Sequence, residues 1–174
     1  MRTTSLVIAA VLLASIIALA QNITYDYDKS VDFSTLKTYA WIQGTEVPDQ
    51  FNHARVVDAV SAQLASKGLK QVELSGHPDL WVAYHAVFDR DLRISGFSNG
   101  FGPYRLGGSR SGSARTEEIL VGTLVVDLVD SQTSTILWRG IASKEIDVNA
   151  NPSKRERNIN RAAERLFKNY PPVK

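Results

Sequence analysis

Residues 122–142 read GTLVVDLVDSQTSTILWRGIA, and this stretch decides the fold. Two runs rich in β-branched and aliphatic residues flank the polar segment 130–134, which predicts a β-hairpin. In the first run Leu124, Val126 and Leu128 share one face, whereas the other face carries Asp127 among apolar neighbours. A strand that is largely apolar on both faces is typical of an inner position in a sheet.

The overall composition favours one ordinary domain. A chain of 174 residues can bury a sizeable core but is short for two domains, so we expect a single domain over residues 21–174. Its 20 Lys and Arg nearly balance 18 Asp and Glu, which argues against nucleic acid as a main partner. Cysteine is absent, so disulfides and a lipid-carrying cysteine are both excluded.

The first twenty residues have the pattern of a secretory signal peptide. Arg2 precedes an apolar run over 6–19, and Ala18-Leu19-Ala20 has the small residues of a cleavage site, so we predict cleavage before Gln21. The alternative is an uncleaved signal anchor, the one route by which the chain would hold a membrane. We therefore expect a periplasmic or secreted protein that is not a lipoprotein.

The rest of the chain alternates predicted strands and helices. Strands are expected over 23–27, 35–42 and 80–88, because β-branched and aromatic residues recur there with a period of two. A helix is expected to begin after Asp49 or Asn52 and to end before Gly68.

A second helix is predicted near the C-terminus. Asn149–Asn151 offer an N-cap, Pro152 suits the first turn, and the helix is expected to reach about Tyr170. A core-facing apolar stripe at helical spacing consists of Ile159, Ala162, Ala163, Leu166, Phe167 and Tyr170.

Glycine dominates residues 89–115. Six glycines in this segment exclude a regular helix and predict a long loop or an extended hairpin tip. Aromatic rings stack on sugars and guanidinium groups pair with anions, so the segment is a tentative binding surface for a sugar, a glycan or an anionic headgroup. The residues of that surface are Phe97, Phe101, Tyr104, Arg105 and Arg110.

Three separated stretches resemble one protein family. They are YDYD at 25–28 with DFSTLKTYAW at 32–41, then GTLVVDLVD at 122–130 with LWRG at 137–140, and the helix 159–167 before Tyr-Pro-Pro. Together they are similar to the DUF4136 family, a group of exported bacterial proteins of unknown function. The resemblance implies an α+β two-layer sandwich in the bacterial envelope, with two main helices on one face of an antiparallel sheet of about five to six strands. Many members look like lipoproteins, but Gln21 stands where a lipid-carrying cysteine would be.

No catalytic, cofactor-binding or metal-binding residues are predicted. The histidines His53, His77 and His85 lack the spacing that puts two imidazoles on one metal from one element. Asp127 and Asp130 lie on opposite faces of their strand and do not form an acid–base pair, and Asp130 is expected to begin the turn. Arg139 is expected at a sheet edge or beneath the C-terminal helix.

Two function hypotheses follow. The first is a non-catalytic envelope domain that binds a protein, a peptide or an envelope polymer through the glycine-rich segment or a free sheet edge. The alternative is a hydrolase-type enzyme of unrecognised class, with a site built from His85, Asp89 and Asp91 beside that segment.

Overall fold

The hairpin expected around residue 130 is the centre of the sheet. A computed structural model describes residues 22–96 and 114–172, and in it β5 (Ala114–Asp130) and β6 (Ile136–Glu145) pair antiparallel. Asp130 begins the turn, since its Oδ1 accepts hydrogen bonds from the backbone N–H groups of Gln132 at 2.9 Å and Thr133 at 2.7 Å. These bonds hold the pKa of the Asp130 carboxyl below its usual value.

Four further strands complete a six-stranded sheet of order β1-β6-β5-β4-β2-β3. They are β1 (Asn22–Tyr27), β2 (Thr38–Trp41), β3 (Lys70–Gln71) and β4 (Leu80–Gly96). The sheet is mostly antiparallel, but β2 runs parallel to both β3 and β4. The inner position predicted for β5 is confirmed, because it lies between β6 and β4.

Both helices begin at predicted capping residues, and α1 also ends where predicted. Helix α1 (Gln50–Ser66) starts at Asp49, whose side chain accepts from two backbone N–H groups, and it stops before Gly68, whose φ of 89° suits glycine. Helix α2 (Pro152–Leu166) starts at Asn151, whose side chain accepts from the backbone N–H of Lys154. The α+β two-layer prediction is confirmed, with two helices and six strands in the described part of the chain.

Three predicted boundaries were wrong. The strand expected over 80–88 continues to Gly96, because it stays paired with β5 along its whole length. The strand expected over 35–42 is shorter, because Asp32 caps a 3-10 turn at Phe33–Thr35 and the strand begins only at Thr38. Helix α2 ends at Leu166 and not near Tyr170, yet Tyr170 remains buried.

Both helices pack on the same face of the sheet. The buried side chains of that face come from alternate positions of the strands, such as Leu80, Val82, Val126 and Leu128, each with no exposed surface. At one end of this layer Trp138 stacks on Phe167 with ring centroids 5.0 Å apart and meets Tyr170 at 5.7 Å. Burial there raises the pKa of Tyr170 to about 12.

The β4–β5 hairpin extends beyond the rest of the sheet. Strand β6 pairs with β5 from Val129 to Val121, and the loop after β2 follows β4 as far as Ala86. The backbone N–H of Ile146, just after β6, still donates to the carbonyl of Leu120 at 2.7 Å. Beyond Ala86 and Leu120 the described residues of β4 and β5 pair only with each other, up to Gly96 and Ala114. At about 3.3 Å per residue, Phe88 to Gly96 gives an arm about 25 Å long.

Candidate functional site

A pocket of about 350 Å³ lies between the helices and the sheet, at the end where the arm leaves the body. Two cross-strand rows form its floor, Ala86–Leu124–Ala142 and Phe88–Gly122–Lys144, as the strand register requires. Val56 of α1 and Ile159 and Ala162 of α2 form the opposite wall. Ligand pockets in proteins are typically about 300–1,000 Å³ and mostly apolar, so both the size and the lining are those of a binding site.

The pocket exists because small residues face one another. Ala86, Gly122, Ala142 and Ala162 stand at positions whose equivalents elsewhere on the same elements carry large side chains. Protein interiors otherwise pack closely, so small residues on facing layers leave a space unless larger neighbours fill it. We call this space the sheet–helix pocket.

The mouth of the sheet–helix pocket exposes large apolar side chains. Phe88 and Val148 line it and are 49% and 61% exposed. The segment 146–150 forms one side and is held by α2, because Arg155 Nε donates to the carbonyl of Ala150 at 2.9 Å and Lys154 Nζ donates to Asp147 Oδ2 at 2.6 Å. The mouth is therefore a fixed part of the fold.

One cation, Lys144, stands on the pocket floor. Its Nζ donates to Asn158 Oδ1 on α2 at 3.1 Å, and within the described residues it has no ion-pair partner. Burial lowers the pKa of Lys144, and Arg161, Lys154 and Arg165 lower it further. The pocket thus combines an apolar lining with a partly buried, unpaired positive charge.

A second polar cluster joins the start of α1 to β4 beside the pocket. His53 Nδ1 lies 2.7 Å from the Tyr84 hydroxyl and 3.5 Å from Glu46 Oε2, and the backbone N–H of Val47 donates to the same hydroxyl at 3.3 Å. Burial raises the pKa of Tyr84. These bonds fasten the loop after β2 to the sheet.

The third cluster lies on the face of the sheet away from the helices. Asp127, 3% exposed, accepts from Arg139 Nε at 2.6 Å and Nη2 at 2.7 Å, and this bidentate bond raises the pKa of Arg139. His85 Nε2 lies 3.6 Å from Asp127 Oδ2, while its Nδ1 accepts from the backbone N–H of Thr45 at 3.1 Å. Thr45 Oγ1 is also 3.1 Å from Nδ1.

This cluster resembles a hydroxyl–imidazole–carboxylate relay but is arranged for structure. Both oxygens of Asp127 are bonded to Arg139, and Thr45 is exposed on the surface and lines no part of the sheet–helix pocket. A catalytic relay needs a bound substrate beside its nucleophile. The cluster therefore fixes the inner strands to each other.

The structure corrects the position predicted for Arg139. It lies neither at a sheet edge nor beneath α2, because β6 is paired on both sides and Trp138, the neighbouring residue, faces the helices. The alternation of side chains along a strand puts Arg139 on the opposite face. The charge it meets there is Asp127, its direct cross-strand partner.

The residues of the enzyme alternative do not converge. His85 contacts Thr45 and Asp127, whereas Asp89 and Asp91 lie farther along β4. Four residues of strand separate His85 from Asp89 by about 13 Å. The tentative binding residues Phe97, Phe101, Tyr104, Arg105 and Arg110 lie outside the described residues.

The pocket residues were missed at the level of sequence. Their signal was present, since Ala86, Gly122 and Ala142 are small residues on the apolar faces of three strands. Only the strand register shows that these positions are neighbours.

Among residues 22–96 and 114–172, no three His, Asp or Glu side chains are grouped so that they would hold a metal ion. Neither of the helices there is long and apolar enough to cross a membrane.

Comparison with known proteins agrees with this architecture. The family described as Domain of unknown function (DUF4136) matches residues 23–172, which is nearly the whole chain. The chain belongs to the DUF4136 family. A solved DUF4136 family protein from Bacteroides thetaiotaomicron is 12% identical, with a TM-score of 0.52 over 87% of this chain and 96% of that one. No curated protein sequence is similar to the chain.

Two other solved structures share the fold of this DUF4136 protein. A PDZ domain protein from Parabacteroides distasonis is 16% identical with a TM-score of 0.55 over 88% of this chain, which spans 37% of that protein's length. A PelC dodecamer from Paraburkholderia phytofirmans is 6% identical with a TM-score of 0.52, covering 85% of this chain and 95% of that one. At such low identity these likenesses concern the fold alone.

Proposed function

We propose that this DUF4136 protein is a non-catalytic binding domain of the bacterial cell envelope, and that the sheet–helix pocket is its binding site. The observation that carries the proposal is the pocket itself. It is a space of about 350 Å³ with apolar walls and an open apolar mouth. Exposed apolar surface that lines a concave site is costly unless a ligand covers it.

The positions of the polar groups favour binding over catalysis. The imidazoles of His53 and His85 hold loops against the sheet, and the Asp127 carboxylate is bonded to Arg139. None of these groups lines the pocket. A substrate held in the pocket would therefore meet apolar surface and not an acid, a base or a nucleophile of these clusters.

The envelope location rests on the signal-peptide pattern of residues 1–20 and on the family resemblance. Expression of the complete sequence in a Gram-negative bacterium, with release by osmotic shock and mass spectrometry of the N-terminus, tests it. We expect a periplasmic protein that begins at Gln21. Recovery of the full-length chain from the cytoplasm would contradict the location without bearing on the pocket.

Binding to the pocket is tested with a neutral apolar dye, N-phenyl-1-naphthylamine, whose fluorescence rises when it leaves water. We expect saturable binding by the wild-type protein and its loss in Ala86→Phe, because the phenyl ring would fill the pocket from the floor. Ala54→Phe is the matched control, since Ala54 is exposed on α1 and does not line the pocket.

A second filling variant guards against misfolding. Ala162→Leu fills the same space from α2, and both variants are compared with wild type for cooperative thermal unfolding. Equal dye binding by wild type, Ala86→Phe and Ala162→Leu, all folded, would show that the pocket is not the site.

We also propose that the glycine-rich segment contacts an envelope protein, a peptide or an envelope polymer. The observation in favour is the β4–β5 arm, whose described strands form both ends of this segment, as far as Gly96 on β4 and from Ala114 on β5. This second binding function is separate from the pocket, and a variant with a shortened arm distinguishes the two.

A further inference from the structure

The charge of Lys144 narrows the class of ligand for the sheet–helix pocket, on the premise that the pocket binds at all. Lys144 is the cross-strand neighbour of Gly122 on the floor, and the side chain of Ile146 lies over Gly122. Its contact across the pocket is the amide oxygen of Asn158, which is neutral. A half-buried ammonium group thus lines a mostly apolar space, whose lining also includes Glu145, Asp147 and Arg155.

The carboxylates near the pocket do not neutralise Lys144. Asp147 is bonded to Lys154 Nζ at 2.6 Å. Glu145 also lines the pocket, but it follows Lys144 directly on β6, so its side chain alternates to the other face of the strand. Arg161, Lys154 and Arg165 add positive potential around Lys144 and make the site more favourable for an anion.

A ligand that matches only the apolar lining, or only the charge of Lys144, leaves the other part of the site unsatisfied. A small inorganic anion would leave the row Ala86–Leu124–Ala142 uncovered, whereas a wholly neutral hydrocarbon would bury Lys144 without a partner, which is unfavourable. A ligand with an apolar chain and an anionic head satisfies both parts.

We propose that the sheet–helix pocket binds a single-chain amphiphile with an anionic head, its chain lying over Ala86, Leu124 and Ala142 and its head paired with Lys144 Nζ. The shared chemistry is an acyl or alkyl chain ending in a carboxylate or a phosphate. A free fatty acid and a phospholipid fragment both have this form.

Competition against N-phenyl-1-naphthylamine tests the proposal, with each amphiphile below its critical micelle concentration. We expect laurate to displace the dye at a concentration lower than that of the neutral dodecanol by on the order of tenfold, the effect of one charge-assisted contact. Dodecyl phosphate is the competitor with a phosphate head. Whether it displaces the dye at a lower or a higher concentration than laurate distinguishes a phospholipid fragment from a free fatty acid.

Variants of Lys144 assign the preference to this side chain. Within the Lys144→Met variant, laurate is expected to displace the dye at the same concentration as dodecanol, and Lys144→Arg is expected to keep the preference for laurate. Lys168→Met is the matched control, because Lys168 is exposed and lies outside the pocket. In wild type, high salt is expected to reduce the difference between the concentrations of laurate and dodecanol that displace the dye.

The outcomes separate the two proposals. Dye binding with equal competition by laurate and dodecanol, or a laurate preference that survives in Lys144→Met, overturns the anionic-head proposal and leaves the pocket in place. Absence of dye binding by the folded wild type overturns both.

Discussion

Asp127 carries a buried carboxylate, which needs a partner within the sheet. It is 3% exposed at the centre of the sheet, and a carboxylate is costly to remove from water without a partner. Arg139 donates two hydrogen bonds to this carboxylate, while 44% of the Arg139 side chain stays exposed. The pair is therefore asymmetric, because only the acid depends on its partner for solvation.

This asymmetry predicts unequal effects of removing either partner. Arg139→Met is expected to lower the free energy of unfolding by about 2–4 kcal/mol, because it leaves the carboxylate buried with only His85 nearby. Asp127→Asn is expected to cost about 1–2 kcal/mol, because the guanidinium that remains reaches water. Urea unfolding at pH 7 measures both.

An exposed ion pair provides the comparison. Arg90 and Glu118 approach to 3.5 Å, with 78% and 60% of their side chains exposed. Arg90→Met is therefore expected to change stability by less than about 1 kcal/mol. A loss for Asp127→Asn equal to or larger than that for Arg139→Met would contradict the solvation argument.

Asp79 ties β2 to β4 in a pH-dependent way. Its Oδ2 accepts from the backbone N–H of Lys37 at 2.8 Å, and from the N–H and hydroxyl of Thr38 at 2.9 Å each. These bonds hold the pKa of Asp79 below its ordinary value of 3.8, and the bond from the backbone N–H of Lys37 has the largest effect. The carboxylate thus contributes stability above pH 3.8 that is lost as the pH falls through the folded-state value.

We predict that Asp79→Ala lowers the free energy of unfolding by about 1–2 kcal/mol at pH 7, the loss expected for hydrogen bonds to a charged group. The difference from wild type should shrink as the pH falls below about 4, where wild type also loses these bonds. Circular dichroism melting between pH 3 and 7 measures it. Asp58→Ala, at an exposed site on α1, is the control, and a difference that stays constant with pH would refute the linkage.

At the scale of elements, local patterns were sufficient for the starts of both helices and for the hairpin of β5 and β6. The caps Asp49 and Asn151 and the apolar stripe of α2 act within a few residues, so the sequence carried them directly. The pairing of β2 depends on Asp79, 41 residues from Thr38, and its start could not be read from nearby residues. The pocket was hidden for the same reason, because it arises from the register of three strands.

Gly140 fixes how closely α2 approaches β6. A Cβ at this position would clash with the ring of Trp138 and would lie 2.8 Å from Leu166 Cγ. Both neighbours are buried, at 1% exposure each, so neither can move aside freely. The helix can therefore dock at this distance only over a glycine.

We predict that Gly140→Ala destabilises the protein by about 1–3 kcal/mol, the usual cost of overpacking a filled core. Gly122→Ala is the matched control on the neighbouring strand. Its added Cβ would lie 2.7 Å from Ile146 Cδ1, but Ile146 is 37% exposed and can turn toward solvent. Thermal unfolding should therefore separate the two variants, and equal losses would contradict this account of α2 packing.

At the scale of the whole molecule, side-chain size changes along the sandwich. Aromatic rings fill the end around Trp138, where Phe33 also meets Tyr170 at 5.8 Å, and small residues open the other end around Ala142. Strand β6 contains both Trp138, at the filled end, and Ala142, at the open end, only four residues apart. The filled end supplies stability, which leaves the open end free to hold a ligand.

The β4–β5 arm lies beyond this open end and is expected to be independent of the body. Replacing residues 93–117 by Asn-Gly joins Leu92 to its cross-strand partner Glu118 through a two-residue turn that favours hairpins. The body should unfold at nearly the same temperature as wild type, because past Phe88 and Leu120 the described strands pair only with each other.

The shortened protein should still bind N-phenyl-1-naphthylamine, since Phe88 and Gly122 remain, whereas capture of a protein, peptide or polymer from envelope extracts should be lost. Retained capture would rule out the glycine-rich segment as the contact, and a large fall in the melting temperature would show that the arm supports the body.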